Sequence, residues 1–383
     1  MLRRSFLTAL SAALLFTALS LPLSAAEDTR TTGATSLSLS AECACLYLPQ
    51  KDLVLYGKQA NKRHPMASTT KIMTALVVIE ETAPYEEVVV SPDAVGIEGS
   101  SVYLRAGEHQ TVENLLYALL LSSANDAAAA LAIYVGGSIE GFAELMNRKA
   151  EALALADTHF KNPHGLADPD HYTTAEDLAR ITAAAMEHPL FRTIVSTKHK
   201  VITTDDGKGA RSLSNHNRLL RSYEDCVGVK TGFTRASGRC LVSAAERDGM
   251  LAIAVTLDAP DDWRDHAELL DYGFSVFRGC MPLGDLPPSV TLPVIGGTQP
   301  YVTASAEKTP FFLLRKDAED ITARVEAIRM PVAPIHAGDV LGKICYYQNG
   351  RLLSEEPLLA EIDIPLLPTK ETLWDRIKKF LNL

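Results

Sequence analysis

The sequence has no long basic block ahead of its extreme C-terminus, and its formal net charge is −10 over 383 residues. Phosphate backbones are gripped by clustered Lys and Arg, so nucleic acid is not an expected partner. The ten histidines include no His-Glu-x-x-His or comparable ligand spacing. A zinc peptidase is therefore not expected, nor is any metal or other cofactor. Internal repeats and low-complexity tracts are also missing. What remains is 47% hydrophobic and 22% charged, an ordinary globular composition with room for a sizeable core and a smaller second domain. The apolar run Leu115 to Val135 has the length of a membrane span, but Ser122, Ser123, Asn125 and Asp126 interrupt its centre. Such groups are costly in hydrocarbon, so two buried helices joined at those residues are expected instead.

The two ends have their own character. Arg3 and Arg4, the apolar run Phe6 to Leu23 and the small residues Ser24-Ala25-Ala26 read as a signal peptide over residues 1–26. The arginine pair also fits a twin-arginine leader; such pairs are common in general secretory leaders, and the general route is expected. Residues 27–40, rich in Ser and Thr, read as a tether. In the tail 370–383, Leu373, Trp374, Ile377, Phe380 and Leu381 share one helical face opposite Asp375, Arg376, Lys378 and Lys379. A basic amphipathic helix of this kind suits an anionic membrane surface, or else docks on its own β domain. Six cysteines lie beyond the leader. Cys43 and Cys45, two apart in a strand, share a face and fill core space. Cys226 and Cys240 are the pair expected to form a disulfide in an oxidising compartment.

Between the ends, strands at Cys43–Leu48 and Asp52–Tyr56 read as a hairpin. Helical periodicity runs over 67–81, 139–156 and 174–186, with a turn-rich loop Asn162-Pro163-His164-Gly165-Leu166 between the last two. Apolar strands at 241–245 and 250–257 flank Glu246-Arg247-Asp248-Gly249, and a helix is expected over 265–277. Pro282, Pro287, Pro288 and Pro293 mark a boundary, after which alternating strands over 285–366 suggest a small all-β sandwich. The expected architecture is thus an α/β catalytic domain over 41–281, a β domain over 285–366 and the tail helix.

Three short motifs carry chemistry. Ser68-Thr69-Thr70-Lys71 places a hydroxyl and an amine three residues apart at a helix start, on one face. A desolvated lysine loses basicity and accepts the hydroxyl proton, making Ser68 a nucleophile and Lys71 its base. Alone, the run reads equally as a capped helix start. Ser123-Ala124-Asn125 follows 55 residues later at the polar joint, and Lys230-Thr231-Gly232 a further 107 residues on, ahead of a strand. The three follow the order of the Ser-x-x-Lys, Ser-Asp-Asn, Lys-Thr-Gly set of penicillin-binding proteins and class A β-lactamases, with Ala124 at the centre of the second.

With these motifs, and with Pro65 to Ala75, Ser122 to Ala127, Met146-Asn147, Asn162 to Leu166 and Gly228 to Thr234, the chain resembles the serine D-alanyl-D-alanine carboxypeptidases among the low-molecular-weight penicillin-binding proteins, peptidase family S11. The resemblance covers about 40–280 and, more loosely, the β domain and tail. It implies the penicillin-binding-protein/β-lactamase transpeptidase fold: an antiparallel sheet flanked by a helical subdomain. It also implies that Ser68 is acylated and Lys71 is the base, while Ser123 relays a proton to the leaving amine. Asn125 would position Lys71 and substrate, Lys230 would supply positive potential, and Thr231 would bond the terminal carboxylate. Gly232 would let the strand approach the substrate, and the N–H groups of Ser68 and Phe233 would form the oxyanion hole. Peptidoglycan stem peptides are the implied substrates and β-lactams the implied covalent inhibitors. Two positions depart from the usual pattern: Ala124 stands where glycine is frequent, and Phe233 where some members carry histidine. The same fold admits a D-alanyl-D-alanine endopeptidase, or a β-lactamase, although no counterpart of the latter's deacylating glutamate is found. A silent wall-binding protein is the alternative outside enzymes, disfavoured by the intact motif residues.

Overall fold

The computed structural model describes residues 37–204, 207, 209–284 and 287–368. The expected leader, most of the expected tether and the expected amphipathic helix of the tail lie outside the described residues.

The chain opens with strands β1 (Cys43–Leu48) and β2 (Leu53–Lys58), then a 3₁₀ turn Ala67–Thr70 leading into α1 (Lys71–Glu81). A small ribbon of β3 (Glu87–Val89) and β4 (His109–Thr111) precedes α2 (Val112–Leu121), α3 (Asn125–Gly136) and α4 (Ile139–Ala152). Next come α5 (Ala175–Met186), α6 (Pro189–Ser196), the ribbon β5 (His199–Thr203) and β6 (Ala210–Ser214), and the short α7 (Leu219–Ser222). Strands β7 (Cys226–Thr234), β8 (Gly238–Arg247) and β9 (Met250–Leu257) lead to α8 (Asp262–Val276) and β10 (Phe277–Cys280).

The main sheet is antiparallel in the order β2-β1-β9-β8-β7. Its centre obeys the period of two. In β9, Leu251, Ile253, Val255 and Leu257 face the helical core, while Met250, Ala252 and Ala254 face α8. In β1, Cys43, Cys45 and Tyr47 take the first face and Ala44, Leu46 and Leu48 the second. The expected core role of Cys43 and Cys45 follows from this alternation. Helix α1 runs through the helical core with Lys71 to Val78 all buried, which fixes its first turn against neighbours on every side.

The run 115–135 breaks into α2 and α3 at Ser122–Ala124, as its polar centre requires. Among the described residues no single helix is long and apolar enough to cross a membrane. The end of the expected tether is packed: Leu39 is buried, and Ser40 N–H, Ser40 Oγ–H and Ala41 N–H all donate to the Asp265 carboxylate.

The expected Cys226–Cys240 disulfide does not form; all six cysteines are free. In the β7–β8 ladder Cys226 faces Ala245, whereas Cys240 faces Gly232. Six residues of strand separate the two positions, about 20 Å at the usual rise and far beyond disulfide reach. Bracketing a motif in sequence placed them at opposite ends of one hairpin.

Beyond the main sheet, β11 (Ser289–Pro293), β12 (Tyr301–Ser305), β13 (Phe312–Arg315), β14 (Thr322–Ala327), β15 (Val340–Gln348) and β16 (Arg351–Ala360) complete the chain. Five of them form an antiparallel sheet in the order β11-β12-β16-β15-β14, and β13 pairs with β10. Leu314, Ala333, Ile335 and Ile364 cover the apolar face of that sheet, so strands and connecting segments enclose a separate core.

Candidate active site

Ser68 sits in the 3₁₀ turn, not in the α-helix proper. In a 3₁₀ turn residues i and i+3 eclipse, which stacks Lys71 directly over Ser68. Lys71 Nζ donates to Ser68 Oγ at 3.0 Å, to Asn125 Oδ1 at 2.7 Å and to the His164 carbonyl at 2.7 Å. Its side chain is fully buried, and this desolvation, with Lys230 as a second positive charge, holds its pKa well below the ordinary lysine range; Asp126 opposes the shift. Burial favours the neutral amine, whose two N–H groups serve the Asn125 and His164 oxygens while its lone pair turns to the Ser68 hydroxyl, the arrangement a general base needs.

Each acceptor comes from a different element. Asn125 opens α3, its Nδ2 donates to the Glu98 carbonyl and its N–H to Ser100 O at 2.7 Å. The His164 carbonyl belongs to the turn-rich loop, which Thr74 Oγ also anchors by donating to Pro163 O at 2.6 Å. That loop, one of the segments that carry the resemblance, thus contributes a backbone acceptor to the site. Asp126 reaches outward to the 101–104 segment, accepting from Ser101 Oγ at 2.6 Å and from Leu104 N–H at 3.0 Å. Ser123 is held at φ 58° at the joint and lines the same cleft as Ser68.

Strand β7 forms the facing wall. A Cβ on Gly232 would stand 3.0 Å from the Ser68 amide nitrogen and 3.1 Å from Ala67 Cβ. Only glycine lets this strand lie so close to the nucleophile turn. Thr231 and Phe233 line the cleft, with the Phe233 ring exposed at its mouth. Lys230 is buried behind them, donates to Thr231 O at 2.8 Å, and is pushed down to about 7 by burial. Every motif residue named from sequence thus reaches one place, with Lys71, Asn125 and Lys230 beneath the cleft floor.

The cleft, about 620 Å³, also has a wall that the motifs did not foretell: Arg218, Arg221, Arg239, Asp262 and Trp263. His216 lines it as well. Arg239 Nη2 reaches both Asp262 oxygens, at 2.8 and 2.9 Å, and the guanidinium groups of Arg218 and Arg239 each lie 5.9 Å from the Trp263 ring. Arg239 faces Phe233 across the β7–β8 ladder, so a hairpin register drawn from Lys230-Thr231-Gly232 would have found it. Asp262 and Trp263 arrive from α8 and have no comparable local signal.

The profile of the D-alanyl-D-alanine carboxypeptidase family (peptidase S11) matches residues 29–261, and that of the penicillin-binding protein 5 C-terminal domain matches 285–365. The D-alanyl-D-alanine carboxypeptidase DacF of Bacillus subtilis is 33% identical over 340 residues, covering 86% of this chain and 87% of its own. DacB2 of Mycobacterium tuberculosis, another protein of that name, is 37% identical over 58% of this chain and 78% of its own. Among solved structures, penicillin binding protein 5 from Haemophilus influenzae superposes with a TM-score of 0.62 at 26% identity, covering 87% of this chain and all of that one.

Proposed function

Since the chain belongs to the D-alanyl-D-alanine carboxypeptidase family, we propose that this serine peptidase removes the terminal D-alanine from peptidoglycan pentapeptide stems through an acyl-enzyme on Ser68. The observation that carries the reading is the 3.0 Å contact between Ser68 Oγ and a buried Lys71. Neutral Lys71 takes the hydroxyl proton as Oγ attacks the carbonyl between the two D-alanines. The oxyanion meets the N–H groups of Ser68 and Phe233, a reading supported by the close approach of β7 at Gly232 to the Ser68 amide. The C–N bond then breaks, and Ser123 passes the proton to the departing D-alanine nitrogen. Water, activated in the reverse proton path, cleaves the ester and restores Ser68.

Release of a terminal residue requires a grip on a free carboxylate. Lys230 beneath the floor, Thr231 on β7 and the guanidinium groups along the opposite wall supply it. A grip on a free carboxylate fits the terminal D-alanine that a carboxypeptidase releases.

The reading places the enzyme outside the cytoplasmic membrane, supported by Arg3-Arg4, the apolar run to Leu23 and Ser24-Ala25-Ala26. The basic amphipathic sequence 370–383 supports attachment to an anionic membrane surface. Fluorescent penicillin and diacetyl-Lys-D-Ala-D-Ala, each with Ser68→Ala as control, test the assignment. Stoichiometric labelling and D-alanine release are expected. Rapid penicillin turnover would point to a β-lactamase, and labelling without D-alanine release to an endopeptidase or a silent binder.

A further inference from the structure

Away from the cleft, three remote segments bring one imidazole and two carboxylates together. The ligand atoms of Glu42, His64 and Asp258 all lie within 4.8 Å of one another. Glu42 precedes β1, Asp258 follows β9, and the Glu42 N–H donates to Asp258 O at 2.9 Å, so the ladder itself sets two of the three. His64 enters from the segment that leads to Ser68. Its backbone is clamped to Thr173, N–H to O at 2.8 Å and O to N–H at 3.1 Å.

The orientation of the imidazole is decisive. His64 Nδ1 lies 2.8 Å from Pro65 O. A carbonyl only accepts, so Nδ1 carries a proton, and in the neutral ring Nε2 is the nitrogen with the lone pair. This is the arrangement metal-bound histidines adopt. The side chain is 10% exposed, and Nε2 points at Glu42 Oε2, 3.7 Å away and outside hydrogen-bond range. In a tetrahedral zinc site, ligand atoms stand about 3.4 Å apart, so small side-chain rotations would close this set.

Two further features fit a cation. The Asp258 carboxylate has no ion-pair partner among the described residues. Its Oδ1 also occupies the space where a Cβ on Gly238 would fall, only 2.0 Å away, so glycine at that hairpin turn leaves room for the carboxylate. Lys62 pairs with Glu42 through Oε1, leaving Oε2 turned toward His64.

We propose that Glu42, His64 and Asp258 bind a divalent transition-metal ion of the zinc class, with water completing the shell. One nitrogen and two carboxylate oxygens suit Zn²⁺ among common biological cations. None of the three lines the cleft. The ion is therefore a clip that ties the start of β1, the end of β9 and the approach to the nucleophile turn, not a Lewis acid for the reaction. Sequence spacing is blind to it, because the three ligands are 22 and 194 residues apart.

The test uses the full chain, stripped with EDTA, dialysed and titrated with Zn²⁺ against a chromophoric chelator. One equivalent should bind with Kd of about 10 μM or tighter, raising the unfolding midpoint by a few degrees. His64→Gln and Asp258→Asn should each weaken binding about tenfold or more while still taking up fluorescent penicillin one to one. Lys62→Met, which removes the competing cation from Glu42, should tighten binding severalfold, a gain that structural damage does not mimic. Absence of binding at millimolar Zn²⁺, equal affinity in both ligand variants, or no gain in Lys62→Met would each overturn the site.

Discussion

Lys71 Nζ lies 3.0 Å from Ser68 Oγ, and no carboxylate accepts a hydrogen bond from it: its other two partners are the neutral oxygens of Asn125 and His164. A lysine so placed finds neutral acceptors in contact, and the nearest counter-charge, Asp126, acts on it only from a distance. Burial outweighs it and holds the pKa well below the ordinary lysine range, toward the neutral amine.

The first prediction follows from that asymmetry. Lys71→Ala removes the base and should slow acylation of Ser68 by fluorescent penicillin about 10²–10⁴-fold. Lys71→Arg should be as slow as the alanine variant, because a guanidinium does not give up its proton. If Lys71 served only as a positive charge, the arginine variant would retain most of the rate, and stopped-flow labelling would show it.

Lys230 has the opposite duty. In the proposed reading its charge serves an anionic substrate, although burial pushes its pKa down to about 7. In the free enzyme kcat/KM should fall as pH rises through that value, and Lys230→Arg should move this limb upward. The stability sign runs the other way. Between about pH 7 and the unfolded lysine pKa of about 10.4, the unfolded chain binds the extra proton, so stability rises with pH. Lys230→Met should therefore raise the melting midpoint at pH 7 by a few degrees while abolishing D-alanine release. A lower midpoint for a well-folded Met variant would contradict the buried-charge account.

Local features of the fold are legible in the sequence, and long-range ones are not. Helix α2, the joint and α3 were legible because Ser122 to Asp126 interrupt an apolar run, and polarity inside a core must mark a turn or a site. Strands β8 and β9 were legible from apolar length and the intervening Asp248-Gly249. The 3₁₀ turn at Ser68 was not, since i to i+3 spacing looks alike in both helix types until hydrogen bonds are seen. The Cys226–Cys240 pairing failed because hairpin register, not sequence bracketing, sets which residues meet. The arginine wall escaped for a related reason: Asp262 and Trp263 join Arg239 only after α8 packs on the sheet.

Three buried histidines make the fold acid-sensitive. Burial lowers His164 to about 3, His171 to about 4 and His266 to about 3, against about 6.5 when unfolded. Between those limits the unfolded state binds more protons, so stability is lost as pH falls below about 6.5. His171 Nδ1 accepts from Lys161 N–H at 3.0 Å, leaving its Nε2–H to meet Thr70 Oγ at 2.7 Å. Protonation breaks that relay beside the nucleophile turn. His171→Gln should flatten the decline of the urea midpoint between pH 6.5 and 4.5; an unchanged slope would place the acid sensitivity elsewhere.

The last prediction concerns what makes the cleft select chain ends. Arg239 is braced by both oxygens of Asp262, whose side chain is only 4% exposed, and it faces Phe233 next to the proposed oxyanion hole. A free substrate carboxylate meeting that guanidinium forms a charge-assisted contact worth about 1.5–3 kcal/mol, or roughly 10- to 150-fold in kcat/KM. Arg239→Ala alone would also strand a buried carboxylate and destabilise the fold, confusing the result. The informative variant is Arg239→Ala with Asp262→Asn, which removes both charges. It should lose that factor on diacetyl-Lys-D-Ala-D-Ala, chiefly in KM, yet label with penicillin at a rate reduced less than the peptide rate. An amidated C-terminus should be a poor substrate for wild type and no worse for the double variant. Equal losses on the free and amidated peptides would show that Arg239 shapes the wall without reading the carboxylate.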